Sequence, residues 1–136
     1  MKRAVLWDSS AVLALLDADD ADHDAAKRIA YEIAQERRPS LITNYLEAET
    51  HALLLRKLGR SLAREWLMSS SLPVARVSPG EEQQAKVLLE RYIDKDWSFC
   101  DAISFAVIET RRIDTAFSFD RHFLQFGRCR VLGIAP

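Results

Sequence analysis

The chain is poor in the residues that staple, punctuate or anchor unusual proteins. It holds two cysteines, four glycines and four prolines in 136 residues. Cys100 and Cys129 share no metal-ligand spacing and suggest no pair, so neither a disulfide framework nor a thiolate metal site is indicated. Cys100, inside an apolar helix, reads as a small core residue, and a reducing cytosol is the plain expectation. No stretch approaches the ~20 apolar residues that would span a bilayer, and no membrane association is expected. The N-terminus imitates an export signal, with Lys2-Arg3 before an apolar run to Leu16. Asp8-Ser9-Ser10 cuts that run, and Asp17, Asp19 and Asp20 stand where small residues would guide cleavage. A Gly-rich phosphate loop and Gly-x-Gly-x-x-Gly are both missing, which argues against nucleotide and dinucleotide binding. None of His23, His51 and His122 has a Ser or Cys in a recognisable nucleophile setting, which argues against a triad hydrolase. An excess of one charge is lacking too. With 19 basic against 20 acidic residues the net charge is -1, so any nucleic-acid binding must come from local patches.

What remains is ordinary globular material, 49% hydrophobic and 29% charged, long enough for one domain over 1–136 to bury a core without staples. The pattern predicts short apolar strands at 3–7, 40–43, 73–77, 115–119 and 129–134. Helices are expected at 9–16, 22–38, 44–58, 61–71, 79–93 and 99–108, with a short one at 121–126. Asn44 reads as an N-cap, Gly59 as a helix stop, and Ser78-Pro79-Gly80-Glu81 as a capping box with proline at the first helical position. Strands that are apolar on both faces and separated by helices indicate an α/β fold, a mostly parallel five-stranded sheet covered by helices on both faces. In such sheets ligands bind at the carboxyl ends of strands, near a topological switch point.

Four acids stand where such a fold would bring them together. Asp8 ends the first strand, Asp120 follows the fourth, and Glu49 and Asp101 lie in early turns of apolar helices. No lysine adjoins any of them, and carboxylates in apolar surroundings are costly unless a cation pairs with them. Each has a local alternative. Asp8 fits the N-cap of its helix, Asp101 a capping arrangement with Ser98, Asp120 the cap of the short helix, and Glu49 a pair with Arg56 two turns on. Glu47, two positions earlier, would exchange with Glu49 on a slip of register, although the Ala-Glu-Thr context and helical face favour Glu49. His122 follows Asp120 closely enough to reach the edge of such a site. A basic rim surrounds the four: Arg56, Lys57, Arg60 and Arg64 on one helical stretch, Arg111-Arg112, and Arg121. Arg56 and Arg121 are the expected substrate contacts.

All-oxygen carboxylate sites suit hard cations, Mg2+ or Mn2+ above all. Beside a phosphodiester such a site favours in-line hydrolysis. Gathered like charges also predict tighter metal binding as the pH rises from about 5 to 8.

The residues resemble a family. Val-Leu-Trp-Asp8-Ser-Ser-Ala-Val-Leu-Ala-Leu-Leu, Ile-Thr-Asn-Tyr-Leu-Glu-Ala-Glu49-Thr, Asp96-Trp-Ser-Phe-Cys-Asp101-Ala-Ile-Ser-Phe and Ala-Phe-Ser118-Phe-Asp120-Arg-His-Phe look like the ordered motifs of PIN-domain ribonucleases, in particular the VapC-type toxins of toxin–antitoxin pairs. The resemblance spans essentially the whole chain and implies a PIN-like three-layer sandwich. It further implies that Asp8 and Asp101 are the principal metal ligands, that Glu49 and Asp120 complete the site, and that Ser118 supports it, with Asp96 as an outer member. An RNA substrate, Mg2+ or Mn2+, a homodimer, and inhibition by a small VapB-like antitoxin whose tail enters the acidic groove come with it. Two other readings stay open on sequence: a PIN-like RNA-binding or scaffold protein without turnover, and a receiver-like phosphoacceptor domain, which would want a lysine near the last strand where Arg128 and Arg130 stand.

Overall fold

The computed structural model describes residues 3–135. Five strands, β1 (Val5–Trp7), β2 (Ser40–Thr43), β3 (Val74–Ala75), β4 (Thr115–Phe117) and β5 (Arg130–Leu132), form one sheet in the order β3-β2-β1-β4-β5. Every pairing is parallel. Parallel neighbours need crossovers, and seven helices supply them. α1 (Ser9–Leu16) and α2 (His23–Gln35) lead from β1 to β2, and α3 (Asn44–Leu58) and α4 (Arg60–Ser69) from β2 to β3. α5 (Pro79–Arg91) and α6 (Phe99–Thr110) lead to β4, and α7 (His122–Phe126) to β5. The winding runs outward one way through β2 and β3 and the other way through β5. With right-handed crossovers this covers both faces of the sheet and makes β1 and β4 the switch point.

Helix ends differ from the sequence reading for identifiable reasons. α2 stops at Gln35, short of Pro39, because Arg37 adopts φ 53° and the Arg37 and Arg38 amides donate back to Ala34 and Ile33 carbonyls. That is a Schellman closure with arginine in the left-handed position. α6 runs past Ile108 to the same closure, with Arg112 at φ 54° and Ile113 donating to Ile108. Thr43, not Asn44, caps α3 through its hydroxyl and the Leu46 amide, while the Asn44 side chain accepts from the Val77 amide. The capping box at Ser78 and Glu81 forms as the sequence indicates. The strands are shorter than their apolar runs, β3 most of all. β5 ends at Leu132 because Gly133 turns the chain at φ 128°.

The core lies on both sides of β1 and β4 and around α6, whose residues 101–108 are all buried. Phe105 stacks on Phe126 with centroids 4.4 Å apart and meets Phe123 and Trp97 edge-on at 5.1 and 4.8 Å. This aromatic cluster clamps the short α7 against α6, so the first residue of α7 is brought to the first turn of α6.

Candidate functional site

β1 and β4 run side by side in the register Val5–Thr115, Leu6–Ala116, Trp7–Phe117, so Asp8 and Ser118 leave the sheet together. The Ser118 hydroxyl donates to Asp8 Oδ2 at 2.9 Å, and the Ser10 hydroxyl donates to the same oxygen at 2.6 Å. The serines are themselves fixed: the Phe119 amide donates to Ser10 Oγ, and the Asp120 amide to Ser118 Oγ. Both serine bonds go to Oδ2, and among the described residues no side chain bonds Oδ1. Asp8 occupies the N-cap position of α1 yet makes no side-chain cap bond, so its carboxylate is directed elsewhere. It is 3% exposed. Burial raises its pKa to about 6, opposed by the two serine hydrogen bonds and reinforced by Glu49 and Asp120.

Glu49 is half-buried in the second turn of α3, and Ser9 donates to its Oε1 at 2.5 Å. Arg56 is exposed and does not pair with it. Glu47 makes no corresponding bond to α1. Asp101 is the third residue of α6 and both caps and faces the cluster. Its Oδ2 accepts from the Ser98 amide at 3.1 Å and lies 2.8 Å from His122 Nδ1. Asp120 Oδ1 accepts from the His122 amide at 2.9 Å and stands 3.5 Å from the same ring nitrogen. Among the described residues, Asp101, Asp120 and His122 offer ligand atoms within 4.8 Å of one another, with Asp8 and Glu49 bordering that set.

Two participants escaped the sequence reading. Ser10, at the start of α1, bonds Asp8 two positions back, and its 3.3 Å approach to Ser118, 108 positions on, has no mark in the local sequence. Cys100 is half-buried among the acids. Burial first, then Glu49, Asp8 and Asp101, push its thiol well above the usual range, so it is a neutral neighbour of the carboxylates and not simply core. Its place directly before Asp101 in the first turn of α6 was the available signal. Other expected members lie apart. Asp96 is exposed in the loop before α6, and Arg56 and Arg121 are exposed with no ion pair among the described residues. Arg111 leaves the basic rim altogether, because its guanidinium holds Glu81 at 2.7 and 2.8 Å. His23 bonds the Ala14 carbonyl and belongs to the scaffold.

The donor set fits a divalent cation. Four carboxylates gather with hydroxyls, a thiol and one imidazole as their partners, and among the described residues neither lysine nor arginine bonds to any of them. Buried like charges without a cationic side chain are the arrangement a bound ion relieves.

Residues 5–128 match the family described as PIN domain. The chain is 34% identical, over 93% of its length and 97% of the relative's, to the 23S rRNA-specific endonuclease VapC20 of Mycobacterium tuberculosis. The crystal structure of that protein, described as a sarcin-ricin loop cleaving toxin, superposes with a TM-score of 0.79 and 32% identity, covering 93% of this chain and 98% of the other. VapBC2 from Rickettsia felis, bound to a promoter DNA fragment, shares the fold with a TM-score of 0.72 at 10% identity, covering 94% and 96%. No helix of the described residues is long and apolar enough to cross a membrane. With sequence, fold and the strand-end acids in agreement, the chain belongs to the PIN-domain family and is a homologue of VapC-type ribonuclease toxins.

Proposed function

We propose that the chain, acting over 1–136 as one PIN domain, is a Mg2+- or Mn2+-dependent endoribonuclease and the toxin of a toxin–antitoxin pair. Four carboxylates from four separate segments meet at the switch point, around an Asp8 that is 3% exposed and has no cationic side chain beside it among the described residues; this observation carries the reading. Asp8, Asp101, Glu49 and Asp120 hold the ion and do the chemistry. Ser118 and Ser10 fix Asp8 through Oδ2 and leave Oδ1 to bind. Ser98 and the α6 N-terminus fix Asp101. Glu49, to which Ser9 donates, takes the proton of the attacking water in this reading. The water oxygen bonds to phosphorus as one P–O ester bond breaks, and the sugar oxygen leaves with a proton taken from solvent water. A bound divalent ion supplies positive charge to the phosphate oxygens and acidifies water near neutral pH. Arg56 and Arg121, exposed and without an ion pair among the described residues, provide charge for the RNA backbone beyond the acids, with Asp96 at the outer edge.

The toxin assignment draws on the 32%-identical solved relative, a sarcin-ricin loop cleaving toxin. With it go a cytoplasmic site of action, a homodimer, and a small VapB-like antitoxin that occupies the acidic groove. The test is expression of wild type and Asp101→Asn, scoring growth and RNA integrity together. The reading expects arrest and cut RNA with wild type, and neither with Asp101→Asn. Arrest by Asp101→Asn with intact RNA would turn the assignment to a binding protein without turnover.

A further inference from the structure

One nitrogen enters this otherwise oxygen-donating cluster. His122 Nδ1 lies 2.8 Å from Asp101 Oδ2 and 3.5 Å from Asp120 Oδ1. Neighbouring ligands around an octahedral ion with bonds of about 2.1 Å stand roughly 3 Å apart, so these separations are those of adjacent positions about one centre. The arrangement is held from three sides. Asp101 Oδ2 is pinned by the Ser98 amide, and Asp120 Oδ1 by the His122 amide. The ring's own helix is clamped by Phe123 and Phe126 against Phe105. The imidazole side chain is 29% exposed, but its Nδ1 is the atom turned to both carboxylates.

We propose that His122 is a nitrogen ligand of the divalent ion, alongside Asp101 and Asp120, and that it biases this site toward Mn2+ over Mg2+. The proposal rests on the reading of the acids as a metal site and goes beyond it in naming a ligand and a selectivity. Mg2+ is a hard ion that takes oxygen and keeps its waters, whereas imidazole suits transition ions. Ligation uses the tautomer with its proton on Nε2. Asp8 and Glu49, which add only oxygen, complete a surround that either ion accepts. A merely structural His122 would bridge α6 and α7 and leave the choice of metal untouched.

The test loads purified wild type, His122→Asn and Asp101→Asn with Mn2+ or Mg2+ separately, reading affinity by calorimetry and ligands by pulsed EPR of the Mn2+ form. Circular dichroism establishes that each variant is folded. The expected result is an imidazole 14N coupling in wild type that is absent from His122→Asn. The Mn2+-to-Mg2+ affinity ratio should fall at least about tenfold in that variant, with Mg2+ affinity little changed. Absence of the coupling in wild type, or equal losses for both ions in His122→Asn, overturns the proposal. If that happens while Asp101→Asn still abolishes binding, the metal-site reading survives alone; if wild type binds neither ion, both fall.

Discussion

Asp8 is a costly residue for the metal-free protein to bury. Its pKa of about 6 in the fold exceeds the ordinary 3.8, so the folded state favours the protonated form. Stability is therefore undiminished below about pH 4 and is lost as the pH rises from there through 6, by on the order of 3 kcal/mol. Asp8→Asn keeps an acceptor for Ser10 and Ser118 and removes the charge. In EDTA at pH 8 the variant should melt higher than wild type, by roughly 1–3 kcal/mol of stability, and the gap should close toward pH 4. Added Mn2+ should stabilise wild type alone. A variant less stable than wild type at pH 8 in EDTA would show that Asp8 is not the burdened carboxylate. The same titration gives a physical basis for metal binding that tightens with pH. At this scale the four acids were legible because acid among apolar residues is conspicuous in a sequence. Ser118 was expected to support them by resemblance, but the atoms it joins were not legible, because Ser118 and Asp8 are 110 positions apart, and Arg111 reads as rim because Glu81 lies 30 residues away.

Among the elements, two positions control how the site is presented. Gly133 ends β5 at φ 128°, and a Cβ there would stand 2.4 Å from the Ser118 carbonyl oxygen and 3.1 Å from the Phe119 ring. Gly133→Ala should therefore cost about 2 kcal/mol or more and displace the Ser118 segment, visible as a lowered Tm with weakened Mn2+ affinity. An unchanged Tm would mean that β5 is looser than the register shows. The second is the joint between α5 and α6. Glu81, 5% exposed, accepts from Arg111 and Thr110, and Arg111 also reaches the Arg76 carbonyl. The Arg111 guanidinium foremost holds the Glu81 carboxyl down at about 2, against an ordinary 4.5. Its contribution is present above about pH 4.5 and lost as the pH falls from there toward 2. Glu81→Gln should lower stability by about 2 kcal/mol at pH 7, since Arg111 is partly exposed, and flatten the acid limb of the stability curve. An acid limb as steep as wild type would place the acid sensitivity elsewhere. Helix existence and order were readable from periodicity and capping residues. The ends were not, because α2 and α6 close on arginines at positive φ, a position where glycine is the usual signal.

For the whole molecule, topology does what no single element can. Residue order puts Asp8 and Asp120 more than a hundred positions apart, and the order β3-β2-β1-β4-β5 makes their strands neighbours. Alternation of strand and helix was enough to anticipate parallel strands and acids at their carboxyl ends. The pairing of β1 with β4 is a property of the assembled sheet. A net charge of -1 supplies no general attraction for RNA, so binding should depend on the ion in the cluster together with local arginines. The most direct measurement follows cleavage of total cellular RNA by the purified chain with Mn2+, with Mg2+ and with EDTA, for wild type and Asp8→Asn. The account predicts discrete RNA products from wild type with either ion, none in EDTA, and none from folded Asp8→Asn under any condition. Cleavage that persists in EDTA, or in Asp8→Asn at the wild-type rate, would contradict it.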